Sequence, residues 1–481
     1  MKKIIITSSI LFFFLIYFFG STLVGTKNPI EKKGGFIETI LSAIPLNLKQ
    51  FIKSVFYAKE EKISILEDEN DKLKKKIFFY EYAFFNNENN KIEKINFLKN
   101  FEKNINMDGN IYFLKTFSNT LLTNPKNTRA KSTGYFDFYN NVLFFAGGDG
   151  VIGYFELDFL NNDSFDLNLI KSNLGKIINY KEFFLAGDLG IKDILIDEKN
   201  SYIYLSYNKS IKNNCFNISI LRSKINFEYL NFEDFFSSEE CLEIDSISRN
   251  QVGGKLFKKN DNYLLLSIGA FGNFKKPQDS QSIFGSIIEI NLNNKKEFKI
   301  LSKGHRNSQG IYYESKNDIL FSVDHGPQYG DEINLDLFPG NYIKNFGWPI
   351  SSYGDHYDFM KKKLLDIYKD APLYKSHKDY GFQEPIKFYT NNVAPSGIIY
   401  VPELYNNKKN NFFISALGHQ LVNGAKSIYD IQFDDNFKNI IQEKVIPIGE
   451  RIRDIKYSSS KNVIIMFLED SSSFALLKKV K

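Results

Sequence analysis

Residues 304–354 read GHRNSQGIYYESKNDILFSVDHGPQYGDEINLDLFPGNYIKNFGWPISSYG, and this stretch decides the fold. Short turn-forming segments (HGP, GDEIN and FGWP) alternate in it with apolar, strand-like runs such as ILFSV. Gly and Pro favour tight turns, and strands bounded by such turns are typical of an all-β protein. Clustered His, Arg, Asn and Asp side chains have no use on an ordinary surface strand, so the stretch predicts a functional site at strand ends.

The distribution of arginine indicates the same region. The chain has 62 Lys and Arg residues. The arginines are Arg129, Arg222, Arg249, Arg306, Arg451 and Arg453. Arg451 and Arg453 fall on one face of a predicted strand, and guanidinium groups brought together repel each other unless an anion lies between them. The two arginines therefore either pair with structural carboxylates such as Glu450 or Asp454, or bind an anionic ligand.

The chain from residue 105 to residue 481 is rich in short apolar runs separated by Asn, Asp, Gly and Lys. Examples are Tyr202–Tyr207, Tyr263–Ile268 and Val463–Leu468. A strand–turn–strand cadence of similar length recurs along this region, and no long amphipathic helix interrupts it. The repetition favours a β-propeller over a sandwich or a barrel.

The N-terminal segment predicts a membrane anchor. Two lysines follow Met1, and residues 4–26 are uncharged and long enough to span a bilayer as a helix. Residues 1–26 are therefore expected to form a single-pass anchor in the inner membrane, with the rest of the chain in the periplasm. A cleaved signal peptide is the alternative.

Residues 35–85 carry apolar residues at three- and four-residue steps, including Ile52, Phe56 and Ile63. This spacing predicts a helical coiled-coil stalk through which the chain forms a homo-oligomer. A single amphipathic helix is the alternative. The polar residues 86–104 predict a linker between the stalk and the β-rich domain.

Charge and cysteine content limit the partners and the chemistry. The net charge of +6 is spread along the chain without a dense basic block, so no nucleic-acid partner is expected. Cys215 and Cys241 belong to no metal-binding pattern. They would form one disulfide if the chain is exported, or they are two unrelated thiols.

The segments GHRNSQG, HGP, GDEIN and GWP together resemble the signature of the glucose/sorbosone (aldose sugar) dehydrogenase family, and the similarity extends over residues 185–475. The resemblance implies a six-bladed β-propeller that holds pyrroloquinoline quinone (PQQ) over its central channel. The implied reaction transfers hydride from a small sugar or related alcohol to PQQ. On the same resemblance, Arg306, Asn307, Arg451 and Arg453 would bind the quinone.

The resemblance also implies calcium. Backbone carbonyl groups of the turn at Gly326 and Pro327 would coordinate a Ca²⁺ bound with PQQ, and carbonyl oxygens suit such a hard cation. Glu332 matches a residue that helps to hold a structural Ca²⁺ in some family members. Trp348, in the GWP segment, is expected to serve packing at the end of a blade.

The chain departs from the family pattern where catalysis requires a base. Gln251 occupies the position of the catalytic His, Ala270 that of the acid that orients it, and Gly418 that of a quinone-binding Lys. His419 is a weak candidate for a replacement base. Since an amide cannot accept the hydroxyl proton, catalysis is expected to be impaired. The alternatives are a non-catalytic propeller that binds a sugar, a glycan or a protein, and an oligomeric membrane scaffold.

Overall fold

The computed structural model divides the chain into two units, residues 1–74 and residues 75–481. It describes Leu66 and residues 93–107, 109–119, 133–178, 190–212, 214–243, 251–357, 364–419, 421 and 424–480. Apart from Leu66, which is helical, the predicted anchor and stalk lie outside these residues, and both stay predictions. Within the described ranges, no helix is long and apolar enough to cross a membrane.

The described part of residues 75–481 consists mainly of β-strands. In chain order they are β1 (Lys94–Met107), β2 (Asn110–Ser118), β3 (Gly134–Tyr139), β4 (Val142–Gly147), β5 (Ile152–Glu156), β6 (Ser164–Leu169), β7 (Lys171–Ser172), β8 (Ile191–Asp197), β9 (Tyr202–Lys212), β10 (Cys215–Lys224), β11 (Tyr229–Leu230), β12 (Glu233–Ser237), β13 (Leu242–Glu243), β14 (Gly253–Lys258), β15 (Tyr263–Ile268), β16 (Ser286–Asn291), β17 (Phe298–Lys303), β18 (Ser308–Glu314), β19 (Ile319–Asp324), β20 (Asp331–Leu337), β21 (Lys344–Asn345), β22 (Lys387–Tyr389), β23 (Pro395–Val401), β24 (Asn411–Ala416), β25 (Ser427–Phe433), β26 (Ile440–Pro447), β27 (Ile452–Ser458), β28 (Val463–Leu468) and β29 (Ser473–Lys479). The short helices are α1 (Leu174–Ile177), α2 (Leu364–Asp370) and α3 (Glu403–Asn406), with 3₁₀ turns at Leu157–Asn161, Lys276–Gln278 and Lys378–Tyr380.

The strands assemble into antiparallel groups of four. These groups are β3–β6, β8 with β9, β10 and β12, β14–β17, β18 with β19, β20 and β22, β23–β26, and β27–β29 with β2. The first strand of each group contacts the first strand of the next, in the order β3, β8, β14, β18, β23, β27 and back to β3. The predicted all-β, propeller-like fold is therefore confirmed.

The N-terminal strands close the ring. β2 pairs with the C-terminal strand β29, and β1 pairs with both β2 and β6, which joins the last and first groups into one nine-stranded sheet. The predicted linker at residues 86–104 is therefore wrong from Lys94 onward. Ile95 and Phe97 alternate with exposed residues and are buried, a strand pattern hidden by the Lys- and Asn-rich sequence.

The core lies between neighbouring groups and is rich in phenylalanine. Phe474 has ring centroids of several other phenylalanines around it, at 5.4 Å for Phe97, 5.0 Å for Phe155 and 5.4 Å for Phe467. Burying each such side chain stabilises the fold by about 1.5–3 kcal/mol. The high aromatic content thus serves the contacts that close the ring.

Cys215 and Cys241 form a disulfide. It ties the start of β10 to the residue before β13, a short strand that itself pairs with β10. Of the two alternatives left open by the sequence, the structure therefore has the disulfide.

The innermost strands begin at the same end of the ring. Gly253, the first residue of β14, donates its N–H to Asn307 Oδ1 beside β18 at 3.1 Å. At the start of β23, Ser396 Oγ donates to the carbonyl of Ile452, the first residue of β27, at 2.5 Å. The loops that precede these strands therefore converge, and their side chains can form one site.

Candidate functional site

Arg306 lies in the loop before β18 and is buried. Its Nη1 donates to the carbonyl oxygens of His325 at 3.1 Å and Gly326 at 2.5 Å. Its guanidinium carbon lies 5.3 Å from the centroid of the Trp348 ring, a cation–π distance. Burial lowers the pKa of Arg306, while Tyr357 and Asp331 oppose this shift. Arg306 is thus fixed against neutral acceptors and an aromatic face.

Arg451 and Arg453 share one buried carboxylate, Glu469. Arg453 Nε donates to Glu469 Oε2 at 2.6 Å, and Arg451 Nη2 lies 3.5 Å from Oε1. Arg451 also donates to the carbonyl of Leu417, and its Nε lies 4.0 Å from the more exposed Asp470. Burial lowers the pKa of Arg451; Glu469 opposes this shift and the charge of Arg453 adds to it. The carboxylate pairing weighed from the sequence is therefore present, although Glu469 provides it rather than Glu450 or Asp454.

Gln309 connects the arginine pair to the loop of Arg306. Arg453 Nη1 lies 3.4 Å from Gln309 Oε1, and Gln309 Nε2 donates to Asn307 Oδ1 at 3.0 Å. The four residues predicted to bind a cofactor, Arg306, Asn307, Arg451 and Arg453, therefore lie in one cluster at one end of the ring. We call these four residues the arginine cluster.

His325 lies within this cluster without adding charge. Burial and the charge of Arg306 lower the pKa of His325 to about 3, and Arg453 contributes to the shift. Its Nε2 lies 2.9 Å from the carbonyl oxygen of Pro395. The ring is therefore neutral at physiological pH and donates this hydrogen bond through Nε2.

The Gln251 position lies beside the arginine cluster. The Gln251 carbonyl accepts from the N–H of Phe271 at 2.8 Å, and the N–H of Ala270 donates to the carbonyl of Arg306 at 2.8 Å. The Ala270 side chain is fully buried in an apolar group with Trp348 and Leu373. The two positions predicted for a base and its orienting acid thus lie beside the arginine cluster, and they carry an amide and a methyl group.

The family model for glucose/sorbosone dehydrogenases matches residues 164–478. The chain belongs to the glucose/sorbosone dehydrogenase family.

Family relatives are similar in sequence over much of the β-rich region. The aldose sugar dehydrogenase YliI of Escherichia coli is 27% identical over 247 residues, which cover 48% of this chain and 60% of that protein. An uncharacterized protein of Synechocystis is 25% identical over 329 residues, which cover 63% of this chain and 73% of that protein.

Solved structures of family members share the fold. The apo form of the soluble aldose sugar dehydrogenase of E. coli superposes with a TM-score of 0.56 at 19% identity, covering 73% of this chain and 95% of that one. The PQQ-bound aldose sugar dehydrogenase of Streptomyces coelicolor gives 0.53 at 16% identity, covering 76% and 98%.

Two of the groups predicted to bind calcium, the Gly326 carbonyl and the Glu332 carboxylate, already have protein partners. The Gly326 carbonyl accepts from Arg306. Glu332 Oε1 lies 3.2 Å from His377 Nε2, and its Oε2 lies 3.3 Å from the side-chain nitrogen of Asn334. In the part of the chain that the structure describes, no group of three or more His, Cys, Asp or Glu is arranged to hold a metal ion. The calcium sites of this family member stay a prediction.

His419, the weak candidate for a replacement base, is exposed. It follows Leu417, whose carbonyl accepts from Arg451, by two residues. The chain thus brings His419 towards the arginine cluster, at an exposed position.

A cavity of about 490 Å³ lies at the other end of the inner strands. Its lining includes Asp137, Lys258 and Ser458, which stand in the C-terminal halves of β3, β14 and β27. Lys258 there is already paired with Asp197 at 2.6 Å. We place the functional site at the arginine cluster instead, because the residues of the family signature converge there.

Glu469 and Gln309 complete the site but were not predicted as site residues. Gln309 could have been found, because it follows Arg306 by three residues in the GHRNSQG segment. Glu469 follows β28 and carries no local motif, so only the pairing of β27 with β28 reveals its role.

Proposed function

We propose that this protein binds PQQ through the arginine cluster, as an aldose sugar dehydrogenase-like member of its family. The observation that carries the proposal is the balance of charge in the cluster. Arg306 and Arg453 both act on His325, Arg451 lies beside Arg453, and the buried carboxylate of Glu469 contacts Arg451 and Arg453. Buried like charges repel strongly at low dielectric, so the cluster favours an anionic ligand.

The donors present fit a ligand with several carboxylates. Arg451 Nε is buried and has no hydrogen-bond acceptor among the described residues. A buried donor left without an acceptor costs about 1–3 kcal/mol. PQQ carries three carboxylates, and Arg306, Asn307, Arg451 and Arg453 would hold them. The bound quinone would supply a hydride acceptor.

Calcium fits the site less well than PQQ does. The Gly326 carbonyl would have to release Arg306 before it could coordinate a cation. We therefore propose PQQ binding without assigning calcium a role, and calcium at Gly326, Pro327 and Glu332 remains an expectation from the family.

Turnover is proposed to be weak because the proton-abstracting pair is replaced. A hydroxyl must lose its proton as hydride leaves, and a positioned base typically contributes about 10²- to 10⁴-fold to the rate. Gln251 cannot accept this proton. The Ala270 side chain packs with Trp348 and Leu373 and offers no carboxylate that could orient a base. This favours the second candidate function, a propeller that binds a sugar or glycan without oxidising it.

The wider architecture is proposed on separate grounds. We infer that the groups of four strands are the blades of a six-bladed propeller. The disulfide between Cys215 and Cys241 supports an oxidising compartment such as the periplasm. The inner-membrane anchor at residues 1–26 and the oligomeric stalk at residues 35–85, on which a scaffold role would depend, rest on sequence patterns alone.

The test is a PQQ titration of the full chain in detergent, followed by equilibrium dialysis with and without Ca²⁺. The native protein should bind one PQQ, and Arg453→Ala should weaken binding about tenfold or more through loss of a charge-assisted contact. Arg222→Ala is the matched control, because Arg222 pairs with Glu233 at 2.5 Å on β10, outside the cluster. Equal loss in both variants, or no binding by the native chain, would refute the proposal.

A more conservative variant separates loss of PQQ binding from loss of the fold. Arg453→Ala leaves the buried Glu469 without one partner, whereas Arg453→Lys keeps the charge and loses the planar fork. The Lys variant should bind PQQ with an intermediate affinity. Thermal unfolding of each variant shows whether the fold is retained.

A further inference from the structure

Trp348 is the only tryptophan of the chain, and its backbone is held firmly at the arginine cluster. Its N–H donates to the carbonyl of Gly304 at 3.0 Å, and its carbonyl accepts from Gln278 Nε2 at 2.6 Å. The ring packs between Arg306 on one side and the apolar group of Ala270 and Leu373. Packing therefore accounts for the ring carbons, as the sequence predicts.

Packing does not account for the indole nitrogen. Trp348 Nε1 is buried and meets no hydrogen-bond acceptor within the ranges that the structure describes, and the same holds for Arg306 Nε. Both side chains are more than nine-tenths buried. Buried polar groups in native proteins are nearly always satisfied, so two unsatisfied donors on adjacent side chains require an explanation.

We propose that Trp348 is a ligand-contacting residue, whose indole N–H donates to an oxygen of the same bound anion that Arg306 Nε contacts. A carboxylate or quinone oxygen accepts from both a guanidinium and an indole, and Trp can act only as a donor. This inference rests on the proposed function and assigns to the site a specificity-determining residue outside the arginine cluster. A ligand without an acceptor at that position would leave the indole N–H buried and unsatisfied, and would bind less tightly.

Because the chain has one tryptophan, a single atom can be changed without mutagenesis. Expression in a tryptophan auxotroph supplied with β-(3-benzothienyl)alanine replaces the indole N–H of residue 348 by sulfur and keeps the bicyclic shape. PQQ affinity of the full chain is then measured by equilibrium dialysis. Loss of one hydrogen bond predicts about three- to tenfold weaker binding. Trp348→Phe, which also lacks the N–H, should weaken binding by at least as much.

The outcomes separate this inference from the proposed function. If the native chain binds PQQ and the benzothienyl protein binds it equally well, the N–H faces water or another protein group and this inference fails alone. If the native chain does not bind PQQ, both fail. Equal unfolding temperatures of the two proteins would confirm that the substitution left the packing intact. In the native protein, quenching of Trp348 fluorescence gives a second readout of binding.

Discussion

The arginine cluster and the segments that carry Gln251 and Ala270 are neighbours at one end of the strand ring, yet their side chains differ in charge. The arginine cluster, on the loops before β18 and β27, carries three arginines, and hydrogen bonds link Arg453 to Glu469 and, through Gln309, to Asn307. The segments around β14 and β15 carry Gln251 and Ala270, whose side chains have no ionisable group. Under the proposed function, ligand binding and proton abstraction depend on different strands, so one can change without the other.

Placing a base and an orienting acid at residues 251 and 270 should give the largest change, an increase in the rate of sugar oxidation. In the double variant Gln251→His and Ala270→Asp, a base and a carboxylate are placed on two segments that are joined by the hydrogen bond from the Phe271 N–H to the Gln251 carbonyl. We expect dye reduction with PQQ and an aldose to rise by about 10²-fold or more over the native chain.

Ala270→Asp alone is the control for the double variant. It adds the carboxylate without a base, so it should stay at the native rate. A double variant that binds PQQ but gains no activity would show that the Gln251 position lacks more than these two side chains.

Removing the negative charge of Glu469, beside the arginine cluster, should change the affinity for PQQ. Glu469→Gln leaves Arg451 and Arg453 without their shared negative charge, so the cluster attracts an anion more strongly. We expect PQQ to bind about three- to tenfold more tightly, measured by equilibrium dialysis at low ionic strength.

Asp470→Asn provides the matched control for Glu469→Gln. Asp470 is more exposed and lies 4.0 Å from Arg451 Nε, so solvent screens its charge and the variant should change affinity less. If Glu469→Gln weakens PQQ binding while the fold is retained, Glu469 positions the arginines for the ligand rather than competing with it.

The smallest expected effect is a dependence of PQQ affinity on pH. Burial raises the pKa of Asp331 to about 6, although the N–H groups of Ala394 and Gly326 and the charge of Arg306 favour its ionised form. Below pH 6 the carboxyl is neutral, and above it a negative charge appears near Arg306. PQQ affinity should therefore fall about two- to fivefold between pH 5 and pH 7.

Asp331→Asn should remove most of this pH dependence, because the amide stays neutral throughout. Asp355→Asn is the comparison, since Asp355 is exposed and paired with Lys375 at 2.8 Å. An equally steep pH profile in Asp331→Asn would assign the titration to another group.

Local sequence predicted the parts of the site that depend on local spacing. The alternation of Arg451 and Arg453 placed both on one face, and both indeed share Glu469. What local sequence could not predict depends on strand pairing between distant residues. Glu469 reaches Arg453 only because β27 and β28 are antiparallel neighbours, and Trp348 meets Arg306 only through the loop that follows β21.

Local sequence also failed to predict one strand of the fold. The strand runs after residue 105 are recognisable from their turns, whereas the sequence of residues 94–104 predicts a linker, because the register of β1 depends on two partners. Ile95 and Phe97 become core residues only when β2 and β6 pair with β1. The polar sequence around them does not indicate either pairing.

We propose that the arginine cluster binds an anionic cofactor and that Gln251, beside it, does not support turnover. The most direct test is a single-turnover experiment with the full chain saturated with PQQ, in which reduction of the bound quinone by excess aldose is followed by absorbance. We expect stoichiometric PQQ binding, with reduction at least about 10²-fold slower than in the double variant Gln251→His and Ala270→Asp. Absence of PQQ binding, or reduction by the native chain as fast as by that variant, would contradict it.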